Sequence, residues 1–142
     1  MKIFYSTSAT AVGGRSGRTQ LDDGSLGFDL VSFQETDKKG ANPEQLFAMG
    51  YAACFDSAMN LVSGQLGIKP TSAKSKVGVG IGQKPDGTFS LDIDITIEVA
   101  GINEDQARQL IERTHQVCPY SNAVRGNVET HLHVNLIQSF DL

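Results

Sequence analysis

The chain has 142 residues and a mass of 15.2 kDa, with 39% hydrophobic, 7% aromatic and 20% charged residues, a size that suits one cored domain and not two. A formal charge of −4 and a pI near 5.2 give a nucleic-acid-binding role no electrostatic help. No stretch reaches the roughly 18 apolar residues of a membrane span, and residues 1–7 lack the long apolar run of a secretory leader, so a cytoplasmic protein is expected.

Residues 3–12 read as a weak first strand, followed by a loop at Gly13-Gly14-Arg15-Ser16-Gly17-Arg18, where the density of glycine weakens any regular element. Asp22-Asp23-Gly24-Ser25 is a hairpin turn. Leu26, Phe28 and Leu30 then alternate as in a half-buried strand, and Lys38-Lys39-Gly40 is a solvated loop. Asn42-Pro43-Glu44-Gln45 starts a helix: Asn42 caps, Pro43 fits the first turn, and Gln45 can reach back. This helix runs to about residue 64 and is apolar nearly all round, which predicts burial on most sides. Gly50, Ala53, Cys54, Ser57 and Ala58 form a ridge of small residues suited to close packing of a second helix.

Strands are predicted over 76–81 and 89–99, joined by a turn at Lys84-Pro85-Asp86-Gly87. In the second of them Phe89, Leu91, Ile93, Ile95, Ile97 and Val99 alternate with polar residues without a break. Asn103 and Gln106 open a second helix with Ala107, Leu110, Ile111, Thr114, Val117 and Cys118 on one face. Pro119 disfavours helical geometry at Cys118, so that cysteine ends the helix, and Ser121 can restart a short turn. A last strand carries Val128, Thr130, Leu132, Val134 and Leu136. With no linker and no repeat, this order predicts a single α+β domain over 1–142.

The two cysteines, at 54 and 118, lie 64 residues apart, too far for CxxC metal or redox spacing. Buried small hydrophobes are one reading of them. Cys54 is mid-helix, where burial raises a thiol's pKa, so reactivity there needs a cation from elsewhere, and Arg15 or Arg18 on the glycine-rich loop can supply one. Glu44 at the helix start meets the positive end of the dipole. It lies ten residues from Cys54, about 15 Å along a straight helix. A shared site would then use Glu44 of a second copy, with the two helices antiparallel in a homodimer. His131 and His133 share the polar side of the last strand near Glu129, but without an evident third ligand no metal site is expected. His115, in the last turn of its helix, is expected to meet the carbonyl end. Neither a nucleophile elbow nor a nucleotide fingerprint is present, and no cofactor is expected.

The segment from Asn42-Pro43-Glu44-Gln45-Leu46-Phe47 through Gly50-Tyr51-Ala52-Ala53-Cys54-Phe55 closely resembles the first cysteine motif of organic hydroperoxide resistance proteins, the Ohr branch of the OsmC/Ohr superfamily. His115-Gln116-Val117-Cys118-Pro119-Tyr120-Ser121-Asn122-Ala123 resembles the second motif, and Ala9 through Arg18 resembles the N-terminal strand and arginine loop. The resemblance implies an OsmC/Ohr-like fold, with antiparallel sheets around a central buried helix in an intertwined homodimer. It also implies a thiol peroxidase that reduces organic hydroperoxides, including those of fatty acids, to alcohols. On that pattern Cys54 is the peroxidatic cysteine, Cys118 resolves it as a Cys54–Cys118 disulfide, Arg15 pairs with the thiolate, and Glu44 holds Arg15. A dihydrolipoyl carrier protein or another dithiol would be the reductant, and Phe47, Met49, Phe55 and Met59 are candidates to line an alkyl pocket. The alternative is a redox sensor or apolar-ligand-binding protein whose disulfide is only a switch.

Overall fold

The computed structural model describes residues 1–138. The chain forms two compact units, Met1–Leu46 and the part from Phe47 onward, each with its own three-stranded sheet.

In the first unit, β1 (Ala9–Val12), β2 (Arg18–Leu21) and β3 (Gly27–Asp29) are antiparallel in the order β1-β2-β3. The first strand is shorter than its sequence suggests, because Ala9 already faces Leu21, the last residue of β2. Beyond that point the Ser8 carbonyl still accepts from the Asp22 N–H at 3.0 Å, and among the described residues no strand pairs with residues 3–7. The turn is fixed by side chains: Asp22 accepts from the Ser8 and Thr10 hydroxyls, each at 2.6 Å, and Asp23 accepts from Ser25. A parallel bridge from Leu30 to Ala41 closes the loop that follows.

Helix α1 (Pro43–Leu66) starts as its sequence predicts. Asn42 Oδ1 accepts the Gln45 N–H at 2.8 Å, and Gln45 Oε1 accepts the Asn42 N–H at 3.0 Å. The second unit continues with β4 (Ser72–Gln83), β5 (Phe89–Ala100), α2 (Glu104–Val117), α3 (Pro119–Val124) and β6 (Thr130–Leu136). Strand β4 extends beyond its predicted ends because all twelve of its residues pair with β5. Ile93, Ile95, Ile97 and Val99 of β5 are fully buried and share one core with Tyr51, Phe55, Met59 and Val62 of α1 and Ala107, Leu110 and Ile111 of α2. The period-two pattern thus marks the wall of the core. Asp56 of α1 accepts from the Ser75 hydroxyl of β4 at 2.9 Å, outside that apolar cluster.

Two expectations need correction. Antiparallel pairing holds for β1–β3 and for β4 with β5, but β6 runs parallel to β5. The helices α2 and α3 between them act as a crossover that returns the chain in the same direction. Helix α1 is not buried on most sides within the chain. Tyr51, Phe55, Ala58, Met59 and Val62 face the core, whereas Met49, Ala53, Ser57 and Leu61, spaced four apart, form an exposed stripe. Among the described residues, no helix is long and apolar enough to cross a membrane.

Candidate active site

The first unit presents a fixed cation. Arg15 sits in a single turn of 3-10 helix between β1 and β2, and the glycines around it are required by geometry. Gly13 and Gly14 have φ of 83° and 62°, and a Cβ on Gly17 would lie 1.8 Å from the Val12 carbonyl oxygen. From this turn Arg15 donates Nη1–H to Glu44 Oε2 at 2.7 Å and Nη2–H to Glu44 Oε1 at 2.6 Å. This two-pronged geometry fixes the guanidinium plane in a way that lysine cannot reproduce. The Arg15 bond holds the Glu44 carboxyl below its ordinary range, against the opposing effect of burial. Arg15 also stacks over Phe33 at 5.8 Å. Arg18, the other candidate, is bound to Asp29 and Gln20 on an exposed strand.

The second unit brings the two cysteines together. Both thiols are free, with Cys118 fully buried and Cys54 partly open. The Cys118 Sγ lies 3.8 Å from the Cys54 Sγ. Cys54 is on α1, whereas Cys118 is the single extended residue (φ −60°, ψ 125°) between α2 and α3. Pro119 ends α2 as the sequence predicts, whereas the next helix begins at Pro119 itself and not at Ser121, because a proline suits the first turn of a helix. Burial pushes the Cys54 thiol up, the neighbouring Cys118 adds to this, and the Tyr120 backbone N–H opposes it. Nucleophilic chemistry at Cys54 therefore requires positive charge from outside this set.

The contacts that join Tyr51, Ser121 and His115 beside the thiols escaped the sequence reading. The Tyr51 hydroxyl lies 2.6 Å from Ser121 Oγ, and Ser121 Oγ lies 2.8 Å from His115 Nδ1. His115 thus bonds to Ser121 and not to the carbonyl end of its helix. The carbonyl of His115 instead accepts from Arg125 Nη2. Burial, and secondarily the charge of Arg125, hold the His115 pKa below its ordinary value. Tyr120 packs edge-on to Tyr51, with ring centroids 5.6 Å apart, and its hydroxyl would be 3.2 Å from a Cβ at Gly50. The available signal was spacing alone, a hydroxyl or imidazole three residues from each cysteine.

Of the candidate pocket residues, Phe55 and Met59 are spent on the core, Phe47 packs against Tyr51 and Tyr120, and Met49 is exposed. His133 pairs with Asp94 at 2.9 Å. The partner missing beside His131 in the sequence is Asp92, which β5–β6 pairing places 3.4 Å from its Nε2, with Glu129 at 3.7 Å. Asp92 and Glu129 are exposed and His131 is partly so, with one potential ligand atom from each within 4.8 Å of the others.

A family model described as OsmC-like protein matches residues 36–133. The chain is 44% identical over 135 residues to the organic hydroperoxide resistance protein of Xanthomonas axonopodis pv. citri, covering 92% of this chain and 94% of that one. Its structure is similar to that of an organic hydroperoxide resistance protein from Legionella pneumophila, with a TM-score of 0.87 and 40% identity, covering 94% of this chain and 99% of the other. It is likewise similar to the organic hydroperoxide resistance protein OhrB of Bacillus subtilis, with a TM-score of 0.86, 34% identity, and coverage of 94% and 100%. With its α+β architecture, its thiol pair and these likenesses in agreement, the chain belongs to the Ohr branch of the OsmC/Ohr superfamily.

Proposed function

We propose that this protein is a cysteine-based peroxidase that reduces organic hydroperoxides to alcohols, acting in the cytoplasm as one functional domain over 1–142. The observation that carries the reading is the pair of reduced sulfurs 3.8 Å apart, one partly open and one buried. The Cys54 thiolate attacks the outer peroxide oxygen, the O–O bond breaks, and the alkoxide leaves as an alcohol after taking a proton. Cys54 is left as a sulfenic acid. The Cys118 sulfur then displaces hydroxide from it, giving a disulfide and water. A dithiol of the dihydrolipoyl type, carried on a partner protein, returns both cysteines to thiols and is itself oxidised to a disulfide.

In this reading Arg15 supplies the charge that burial of Cys54 calls for. A guanidinium beside the sulfur favours the thiolate and stabilises the departing oxygen. Glu44 fixes its orientation through the paired bonds described above. The rings of Phe47, Tyr51 and Tyr120 give the second unit an aromatic setting near the thiols, which favours an alkyl peroxide over hydrogen peroxide. The exposed stripe on α1, with Met49 and Leu61 flanking Ala53 and Ser57, supports a homodimer in which a second copy covers it.

Steady-state kinetics with dihydrolipoamide test this directly, comparing tert-butyl hydroperoxide with hydrogen peroxide. Rapid turnover favouring the organic peroxide, abolished by Cys54→Ser, is expected. Normal turnover in both Cys54→Ser and Cys118→Ser would refute the mechanism. A protein oxidised once and not recycled by any dithiol would be a switch instead of an enzyme.

A further inference from the structure

The peroxidase cycle leaves unused the hydrogen-bonded chain Tyr51–Ser121–His115. Ser121 and Tyr51 are fully buried, so water cannot replace their partners. A serine hydroxyl has one proton to give and two lone pairs. Burial and Arg125 favour the neutral imidazole at His115, and one assignment of the two contacts satisfies every proton: Ser121 donates to Nδ1 and accepts from Tyr51. The imidazole proton is then on Nε2, and each of these hydroxyl protons has an acceptor.

The placement of the three residues matters more than their satisfaction. His115 lies three residues before Cys118, Ser121 three after it, and Tyr51 three before Cys54. The Ser121 hydroxyl therefore ties α2 to α3 across the extended joint that carries Cys118, and ties α3 to α1 one turn from Cys54. A disulfide has an S–S distance near 2.05 Å, so the sulfurs, now 3.8 Å apart, must close by about 1.8 Å. We infer that Ser121 is a positioning residue for the resolving step, its hydroxyl holding the Cys118 joint in striking distance of the Cys54 sulfenic acid. This inference rests on the peroxidase reading above.

Resolution competes with a second oxidation. The Cys118 sulfur attacks the Cys54 sulfur, the S–O bond breaks, and the departing hydroxide takes the thiol proton to form water. If Cys118 is out of reach, a second hydroperoxide oxidises the sulfenic acid to sulfinic acid and is itself reduced to an alcohol. The ratio of sulfinate to disulfide therefore reports how often the joint is correctly placed. Removing the Ser121 hydroxyl leaves a buried phenol and a part-buried imidazole without this partner. The cost of such an orphaned group corresponds to about a tenfold change in that ratio.

The test treats the full-length reduced protein with excess tert-butyl hydroperoxide and no reductant, then reads sulfinate and disulfide by intact mass. Ser121→Ala is expected to raise the sulfinate-to-disulfide ratio about tenfold, and Ser121→Thr, which restores a hydroxyl, is expected to bring it back. Tyr51→Phe removes a single oxygen from the same chain and is expected to raise the ratio too, which keeps the test open if Ser121→Ala does not fold. A wild-type ratio in both Ser121→Ala and Tyr51→Phe, even with a lowered thermal midpoint, overturns the inference and leaves only a core fastener. If the wild-type protein itself forms neither product, the peroxidase reading fails instead.

Discussion

Replacing Glu44 with Gln tests whether the Arg15 fork is functional. Glutamine keeps the size of the side chain and one carbonyl oxygen, so one of the two bonds, at 2.7 and 2.6 Å, can persist. The other oxygen becomes an NH2 group facing a guanidinium N–H, donor against donor. Charge-assisted bonds are roughly twice as strong as neutral ones, but the Arg15 side chain is 40% exposed, so solvent screens part of the loss. The expected result is about a tenfold fall in the second-order rate constant for an organic hydroperoxide, below the ~100-fold of a lost buried oxyanion donor. Stopped-flow oxidation of the reduced protein measures this constant, and thiolate absorbance against pH measures the Cys54 titration, which is expected to move upward. An unchanged rate and titration, in a variant whose fork is demonstrably broken, would refute the role given to this pair. The same substitution carries a stability signature. Because the folded Glu44 pKa is depressed by Arg15, its contribution is complete above the ordinary value of 4.5 and is lost as pH falls through the lower folded value. The wild-type advantage over Glu44→Gln in urea unfolding is thus expected to be flat near neutrality and to vanish in acid.

Other outcomes follow from the same geometry. Cys118→Ser should consume hydroperoxide without closing a disulfide, and intact mass should show Cys54 carrying two added oxygens after excess oxidant. Gly17→Ala places a Cβ 1.8 Å from the Val12 carbonyl, so it is expected to disturb the Arg15 turn and depress peroxidase activity. Gly14→Ala, with open space at its Cβ, should carry only the left-handed backbone cost of about 1–2 kcal/mol; equal losses in the two glycine variants would contradict this account. Phe55→Ala, at a fully buried ring, is expected to cost about 3–5 kcal/mol by urea denaturation. A stability loss below about 1 kcal/mol would mean that Phe55 is not a core residue.

Local rules carried the sequence reading a long way. The capping pairs Asn42–Gln45 and Asn103–Gln106 form as expected, and Pro119 stops α2 at Cys118. The alternation in β5 marks its buried side. What failed depended on partners distant in the chain. The start of β1 is set by where β2 ends, and the direction of β6 by the two helices before it. The composition of α1 gave apolar content but not which stripe remains open. The Arg15–Glu44 fork of the first unit spans 29 residues, and the cysteine pair of the second spans 64. No periodicity reports such distances, and only the family motifs suggested those partners. The Tyr51–Ser121 bond was invisible because each residue alone reads as an ordinary member of its helix.

The parallel docking of β6 has a consequence for biosynthesis. A crossover strand can pair only after the helices preceding it have been made and folded back, so the second sheet closes late, once the last third of the chain has emerged. The sulfur at position 118 belongs to that crossover, and a nascent chain bears Cys54 well before its counterpart exists. The two sulfurs can therefore meet only after the crossover has been made, and a truncated or stalled product would display Cys54 without Cys118 beside it.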